Sequence, residues 1–263
     1  MLDLRDRVVV VTGASSGIGR ELALLLARKG TRVAAAARRG ERLASLKREV
    51  EAQGGALLAV ECDVGDCGQV ERLRDAVWEV WGPAEVLVNN AGRGAHGPIE
   101  QLAIEDIETL VRTNLLGAIY CTRAFLPAML ERGRGHLVFV SSVLGELPAP
   151  YHAVYGATKF AMTGLAESLE YELRPRGIRV TLVEPGLVRT EFPQVSGTPG
   201  EFLESVPSRS AEEVALEIVR ALEREKRRIV PDRLARVGID FRRHFPRTAH
   251  LFFRLAFRRV YGK

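Results

Sequence analysis

Val8-Val9-Val10-Val11-Thr12-Gly13-Ala14-Ser15-Ser16-Gly17-Ile18-Gly19 reads as a strand that turns on glycine into a helix. Four consecutive valines leave neither strand face polar, which suits a parallel sheet covered by helices on both sides. Glycines at 13, 17 and 19 let the backbone turn sharply and approach a bound pyrophosphate with no Cβ in between. The first amides of the helix and the positive end of its dipole then face phosphate oxygens. This GxxxGxG spacing differs from the GxGxxG fingerprint and lacks the Lys-Ser/Thr ending of a P-loop, which argues against ATP or GTP hydrolysis.

Outward from that turn, short apolar runs alternate with longer helical patterns. Strands are predicted at Arg7–Thr12, Arg32–Ala36, Ala56–Glu61, Glu85–Val88, Gly135–Ser141, Ile178–Glu184 and Arg228–Val230. Helices are predicted at Ile18–Arg28, Gly40–Ala52, Gln69–Trp81, Ile104–Glu131, Tyr155–Arg174 and Ala211–Glu225. The expected fold is α/β: a single Rossmann-type domain, with a doubly wound parallel sheet of about seven strands and helices on both faces. Residues 1–230 form this cofactor-binding and catalytic domain, and 231–263 are a basic aromatic C-terminal extension packed on it or on a partner. The stretch Arg189–Arg209, broken by three prolines and two glycines, is either a mobile flap or an ordinary surface connection.

At 263 residues and 46% apolar content, one full-sized core is expected. Cys62, Cys67 and Cys121 form no CxxC pair, and this odd, unpaired set points to a reducing compartment, the cytoplasm. The N-terminus has neither a signal-peptide layout nor a spanning apolar run. The net charge of +5 is uneven: residues 224–263 carry thirteen Lys or Arg against three acids. The basic balance therefore belongs to the tail, and no nucleic-acid partner is expected.

The second strand ends in Ala37-Arg38-Arg39. Sites that prefer NAD place an acid here for the ribose diol. Ala37 instead removes the repulsion and Arg38 offers a guanidinium to a 2′-phosphate, so NADP(H) is the expected cofactor; Arg39 is left as the start of a solvated helix. Cys62-Asp63-Val64 closes the third strand, where the acid can accept from an adenine amino group. Asn89-Asn90-Ala91-Gly92 closes the fourth, where small residues leave room for a flat ring and ribose.

Tyr155 and Lys159 are four apart in a helical segment and project from one face. A phenol, with a reference pKa of about 10, exchanges protons poorly near neutrality. A neighbouring ammonium favours the phenolate, and Tyr155 then serves as general acid or base. Ser141 and Ser142, at the end of the fifth strand, can each hydrogen-bond a substrate oxygen. Asn114 is an awkward amide inside an apolar helix and can hold a water that links the lysine to solvent.

Taken in order, these segments resemble the classical short-chain dehydrogenase/reductase family, NADPH-preferring subgroup, over roughly residues 5–190. The resemblance assigns the cofactor turn to Gly13, Ser15, Ser16, Gly17, Ile18 and Gly19. It assigns the adenosine side to Arg38, Asp63 and Val64, and the ribose passage to Asn90, Ala91 and Gly92. Pro185-Gly186-Leu187-Val188-Arg189-Thr190 is similar to the nicotinamide-side segment, with the Val188 backbone and Thr190 on the carboxamide. The catalytic set becomes Asn114, Ser142, Tyr155 and Lys159, with Ser142 rather than Ser141 at the family's spacing. It implies hydride transfer between nicotinamide C4 and a carbonyl carbon. Tyr155 supplies the proton, Lys159 binds the ribose and lowers the tyrosine pKa, and no metal takes part. It also implies a homodimer or homotetramer through the helices of Asn114 and Tyr155. A related epimerase or dehydratase, or a non-enzymatic cofactor-binding scaffold, are the alternatives.

Leu144, Leu147 and Tyr151 on one side, and Phe192, Val195, Phe202 and Leu203 on the other, are expected to wall an apolar substrate site. His152 is read as an exposed loop histidine, with a polar handle on the substrate as the alternative. In the tail, Phe241, Phe245, Phe252, Phe253 and Phe257 are interleaved with Arg242, Arg243, Arg247, Arg254, Arg258 and Arg259. That pattern suits peripheral contact with an anionic membrane, a cover on the substrate pocket, a subunit contact or the monomer core.

Overall fold

The computed structural model describes residues 2–200, 203 and 207–261. Seven parallel strands form one sheet, and six of them are β1 (Val8–Thr12), β2 (Arg32–Ala37), β3 (Ala56–Glu61), β4 (Val86–Asn89), β5 (Gly135–Val140) and β6 (Ile178–Val183). Two further short strands, β7 (Leu187–Arg189) and β8 (Ser208–Ser210), pair apart from it, and β9 (Arg228–Ile229) completes the sheet. The order is β3-β2-β1-β4-β5-β6-β9. The order of the strands reverses at β1 and β4, on whose two sides the chain winds outward in opposite directions across the sheet, and the crevice at the C-terminal ends of those strands is where such sheets bind ligands.

The four valines of β1 divide between two cores. Val9 and Val11 pack beneath α1 (Gly17–Arg28), α2 (Gly40–Ala52) and the later helix Ala211–Glu223. Val8 and Val10 pack beneath α3 (Cys67–Trp81), the helix Gly117–Glu131 and the long helix Ala153–Leu173. Successive strand side chains point to opposite faces, so a strand buried on both must be apolar throughout.

The stretch Ile104–Glu131 differs from the predicted single helix. It comprises α4 (Ile104–Val111), one π turn over Arg112–Leu116 and α5 (Gly117–Glu131). The extra residue in that turn frees Asn114, which is fully buried, to bond outside its own helix. The long helix after it is α6 (Ala153–Leu173), and Ala211–Glu223 is α7, opened by a Ser210/Glu213 capping box. The segment read as flap or connection contains β7, a short helix at Phe192–Val195 and β8.

Residues beyond β9 form α8 (Arg233–His244) and α9 (Pro246–Tyr261). Asp232 starts α8 by accepting from the amides of Leu234 and Ala235. Ile239 and Ala249 are the buried anchors of this pair. Arg242 donates to the backbone carbonyl of Glu146, and Arg243 pairs with the Glu146 carboxylate.

Candidate active site

At the β1–α1 turn, Gly13 and Gly17 hold φ of +68° and +54°, the left-handed region that favours glycine. A Cβ at Gly13 would stand 2.8 Å from the Ala91 Cα. One at Gly19 would stand 2.5 Å from both the Asn90 Nδ2 and the Gly13 carbonyl oxygen. The turn is therefore pressed against the end of β4 and has no room for side chains. Ser16 precedes α1 without capping it by its side chain, and no acid stands in the first turn. Those amides remain donors for an anion. A dinucleotide pyrophosphate fits this cradle.

Asn90 is turned back into the protein, where its Nδ2 donates to the Thr12 carbonyl at 2.8 Å. Thr12 Oγ1 accepts from the amides of Asn90 and Ala91, both at 3.0 Å. On the adenosine side, Arg38 is exposed, with its guanidinium 3.9 Å from the Asp63 carboxylate. Asp63 Oδ1 accepts from the Gly65 amide at 2.9 Å. Arg39, read from sequence as a solvated helix start, instead donates to Ser15 Oγ at 3.0 Å and Ser16 Oγ at 2.7 Å. It also pairs with Glu191 at 2.5 Å, as Arg42 does at 2.7 Å. These bonds hold the Glu191 carboxyl down at about 2, with Arg42 the largest cause. The doubled arginine at 38 and 39 was the available sequence signal; which of the two turns toward Ser15 and Ser16 is a matter of tertiary geometry.

Tyr155 and Lys159 lie one turn apart on α6, both buried, with the lysine Nζ 5.8 Å from the phenol centroid. Lys159 Nζ donates to the Val140 carbonyl at 2.9 Å. Burial pulls the Lys159 pKa down to about 8. It pushes the Tyr155 pKa up to about 12, against a lowering hydrogen bond from Ser142. The expected acidification of Tyr155 is thus not produced by the protein's own groups. Desolvation outweighs the hydrogen bond, by about 3 kcal/mol for two pKa units.

Ser142 is the neighbour that lowers the Tyr155 pKa, and its hydroxyl caps the 3-10 turn Val143–Gly145, accepting from the Leu144 amide at 3.1 Å. Ser141 turns the other way, donating to the Lys159 carbonyl at 3.0 Å. Both serines line the cavity, but the Ser141 hydroxyl is engaged by the Lys159 carbonyl and Thr163. Asn114 lies behind the lysine: its Oδ1 accepts from the Arg93 amide at 2.8 Å, and its Nδ2 donates to the Arg93 carbonyl at 2.9 Å. A carbonyl oxygen has a second lone pair, so one acceptor position on Asn114 remains for a water.

A cavity of about 490 Å³ joins these groups. Of the residues named from sequence, Gly13, Ser15, Ser16, Gly17, Ile18, Arg38, Asp63 and Val64 line it on the adenosine side. Asn90, Ala91, Gly92, Ser142, Tyr155, Lys159, Pro185, Gly186, Val188 and Thr190 line the rest. Gly19 and Asn114 stand just behind the wall. Leu144, Leu147 and Phe192 contribute to the substrate end, whereas Val195 points to solvent and Tyr151 and Leu203 do not line the cavity. Phe202 lies outside the described residues.

His152 corrects the sequence reading. It is half-buried, lines the cavity and sits 6.3 Å from the Tyr155 ring. Burial, reinforced by His96, pulls its pKa down to about 4, so it is neutral at physiological pH. From the tail, Phe253 and Phe257 reach the cavity. The side chains of Arg258 and Arg259 lie outside the described set.

Comparison with known proteins matches residues 7–198 to the short chain dehydrogenase family. An uncharacterized oxidoreductase of Myxococcus xanthus is 42% identical over 204 residues, spanning 77% of this chain and 80% of that protein. The NADP-dependent 3-hydroxy acid dehydrogenase YdfG of Salmonella typhi is 40% identical, over 72% of this chain and 75% of its own. A short chain dehydrogenase/reductase from Burkholderia phymatum, solved with NAD, superposes with a TM-score of 0.85 at 28% identity, covering 93% of this chain and 95% of that one. With the glycine turn, the seven-stranded sheet and the Ser142/Tyr155/Lys159 cluster in place, the chain belongs to the short-chain dehydrogenase/reductase family.

Proposed function

We propose that this protein is an NADP(H)-dependent oxidoreductase that interconverts a carbonyl and an alcohol, using Tyr155 as its acid/base, on an apolar substrate. The observation that carries the proposal is the buried Tyr155, one helical turn from Lys159 and lining with it and Ser142 a single cavity that continues to the glycine turn. The NADP dependence of the Salmonella relative and the exposed Arg38 beside Asp63 support the phosphorylated cofactor; the Burkholderia structure holds NAD.

When bound, the nicotinamide supplies or takes the hydride at C4. Ser142 positions the substrate oxygen by hydrogen bonding, and Tyr155 gives that oxygen a proton in the reductive direction. With its pKa near 12, Tyr155 is protonated at neutral pH and ready to act as an acid. Lys159 holds the cofactor ribose, and Asn114 carries a water between the lysine and solvent. Leu144, Leu147, Phe192, Phe253 and Phe257 make the substrate end apolar. The reading extends to self-association, a homodimer or homotetramer through the helical stretch Ile104–Glu131 that carries Asn114 and through α6, which carries Tyr155.

The test is NADPH oxidation with a panel of ketones and aldehydes, with product identification. Tyr155→Phe is expected to lower kcat by about a thousandfold, within the range of lost general acid catalysis, while NADPH binding persists. Undiminished turnover would remove Tyr155 from the reaction, and a product with no net redox change would point to an epimerase or dehydratase.

A further inference from the structure

The C-terminal pair α8 and α9 has two apolar faces. The inner one delivers Phe253 and Phe257 to the cavity. The outer one consists of Leu234 and Val237 on α8, Phe245 at the bend, and Leu251, Phe252 and Leu255 on α9, each more than half exposed. Phe241 joins the two helices' outer faces, its ring 5.8 Å from Phe245 and 6.4 Å edge-on to Phe252. Six large apolar side chains in one continuous stripe are more than scattered surface residues require.

Charge separates the kinds of surface that could meet the stripe. Residues 233–261 contain eight arginines and one acid, Asp240. Arg242 and Arg243 are spent inward on Glu146, whereas Arg233, Arg236, Arg247 and Arg254 are exposed. A second copy docked here about a twofold axis would set arginine-rich flanks against each other, with only Asp240 to offset them. An anionic surface with an apolar layer beneath it complements both the arginines and the stripe. Among the described residues no helix is long and apolar enough to cross a membrane, so the contact is parallel to the surface.

We propose that α8 and α9 dock on the headgroup region of an anionic lipid bilayer, sinking the Leu234–Leu255 stripe into the acyl boundary. Docking puts the helix that walls the substrate end of the cavity against lipid, which favours a substrate dissolved in that phase. The lipid contact does not depend on the proposed chemistry and is measured separately from it.

The experiment is flotation of the purified full-length protein with vesicles of phosphatidylcholine, with and without phosphatidylserine. The expected result is flotation with the anionic vesicles, falling by about tenfold in high salt or in Arg247→Glu/Arg254→Glu. Phe252→Ser/Leu255→Ser should lower it comparably, and so should Leu234→Ser/Val237→Ser, which lies further from the cavity. Thermal melting and NADPH titration of each variant establish that it is folded. Protein left in solution beside anionic vesicles would overturn the proposal. Lipid binding unchanged in both folded stripe variants would overturn it too. So would a dimer that these variants dissolve without affecting lipid binding, or retention by duplex DNA in place of vesicles.

Discussion

Two lysine and tyrosine side chains on one turn of α6 are pushed by burial in opposite directions, Lys159 down to about 8 and Tyr155 up to about 12. Between those values the phenol keeps its proton while the lysine loses its charge. Reduction is therefore expected to hold steady through neutral pH and to decline as pH rises through about 8, along with NADPH affinity, because the Lys159 ammonium proposed to hold the ribose loses its charge. Lys159→Arg retains charge at every accessible pH, so its NADPH titration should lose the alkaline limb; a limb unchanged in that variant would assign it elsewhere. The two neighbouring arginines separate in the same way. Arg38 is exposed beside Asp63, and Arg38→Ala should weaken NADPH by tenfold or more, roughly one charge-assisted bond, with little effect on NADH. Arg39 braces Ser15, Ser16 and Glu191, and Arg39→Ala should weaken both cofactors together. Titrating both dinucleotides against each variant reads the difference, and equal small effects from Arg38→Ala would reject its assignment to the phosphate.

Elements meet at a buried charge cluster that the reaction does not use. Glu184 follows β6 and Arg228 opens β9, with Nε to Oε2 at 2.5 Å. Arg228 and Arg243 both reach Glu146, which immediately follows the turn capped by Ser142. Burial raises the Glu184 pKa to about 7, from 4.5 in an exposed carboxyl. Between those values the folded state binds more protons than the unfolded one, so stability falls as pH rises through the window. That loss should be on the order of 2–3 kcal/mol, and Glu184→Gln should remove most of it in urea melts taken at both ends of the window. An unchanged slope would place the proton uptake elsewhere. None of this was legible beforehand, because neither Glu184 nor Arg228 belongs to a local pattern. The π turn at Arg112–Leu116 escaped for a related reason: its apolar spacing continues from α4 into α5, and only the bonds from Asn114 to Arg93 and Thr158 mark the added residue.

Across the whole molecule, what could be read in advance was what repeats or sits at a fixed interval. Uniformly apolar strands announced a sheet buried on two sides, and the glycines at 13, 17 and 19 located its switch point. Residues whose partners lie far along the chain, such as Arg39 with Glu191 or His152 with His96, had no such signature. The tail offered an interleaving of phenylalanine and arginine without saying which ring faces where, and its two faces separate only in the fold, where Phe253 turns inward and Phe252 outward. Phe253 and Phe257 of α9 line the same cavity as Tyr155, so that helix forms part of the wall between the phenol and bulk water. A polypeptide cut just past β9 would lose that lining and leave the phenol in a bowl more open to water.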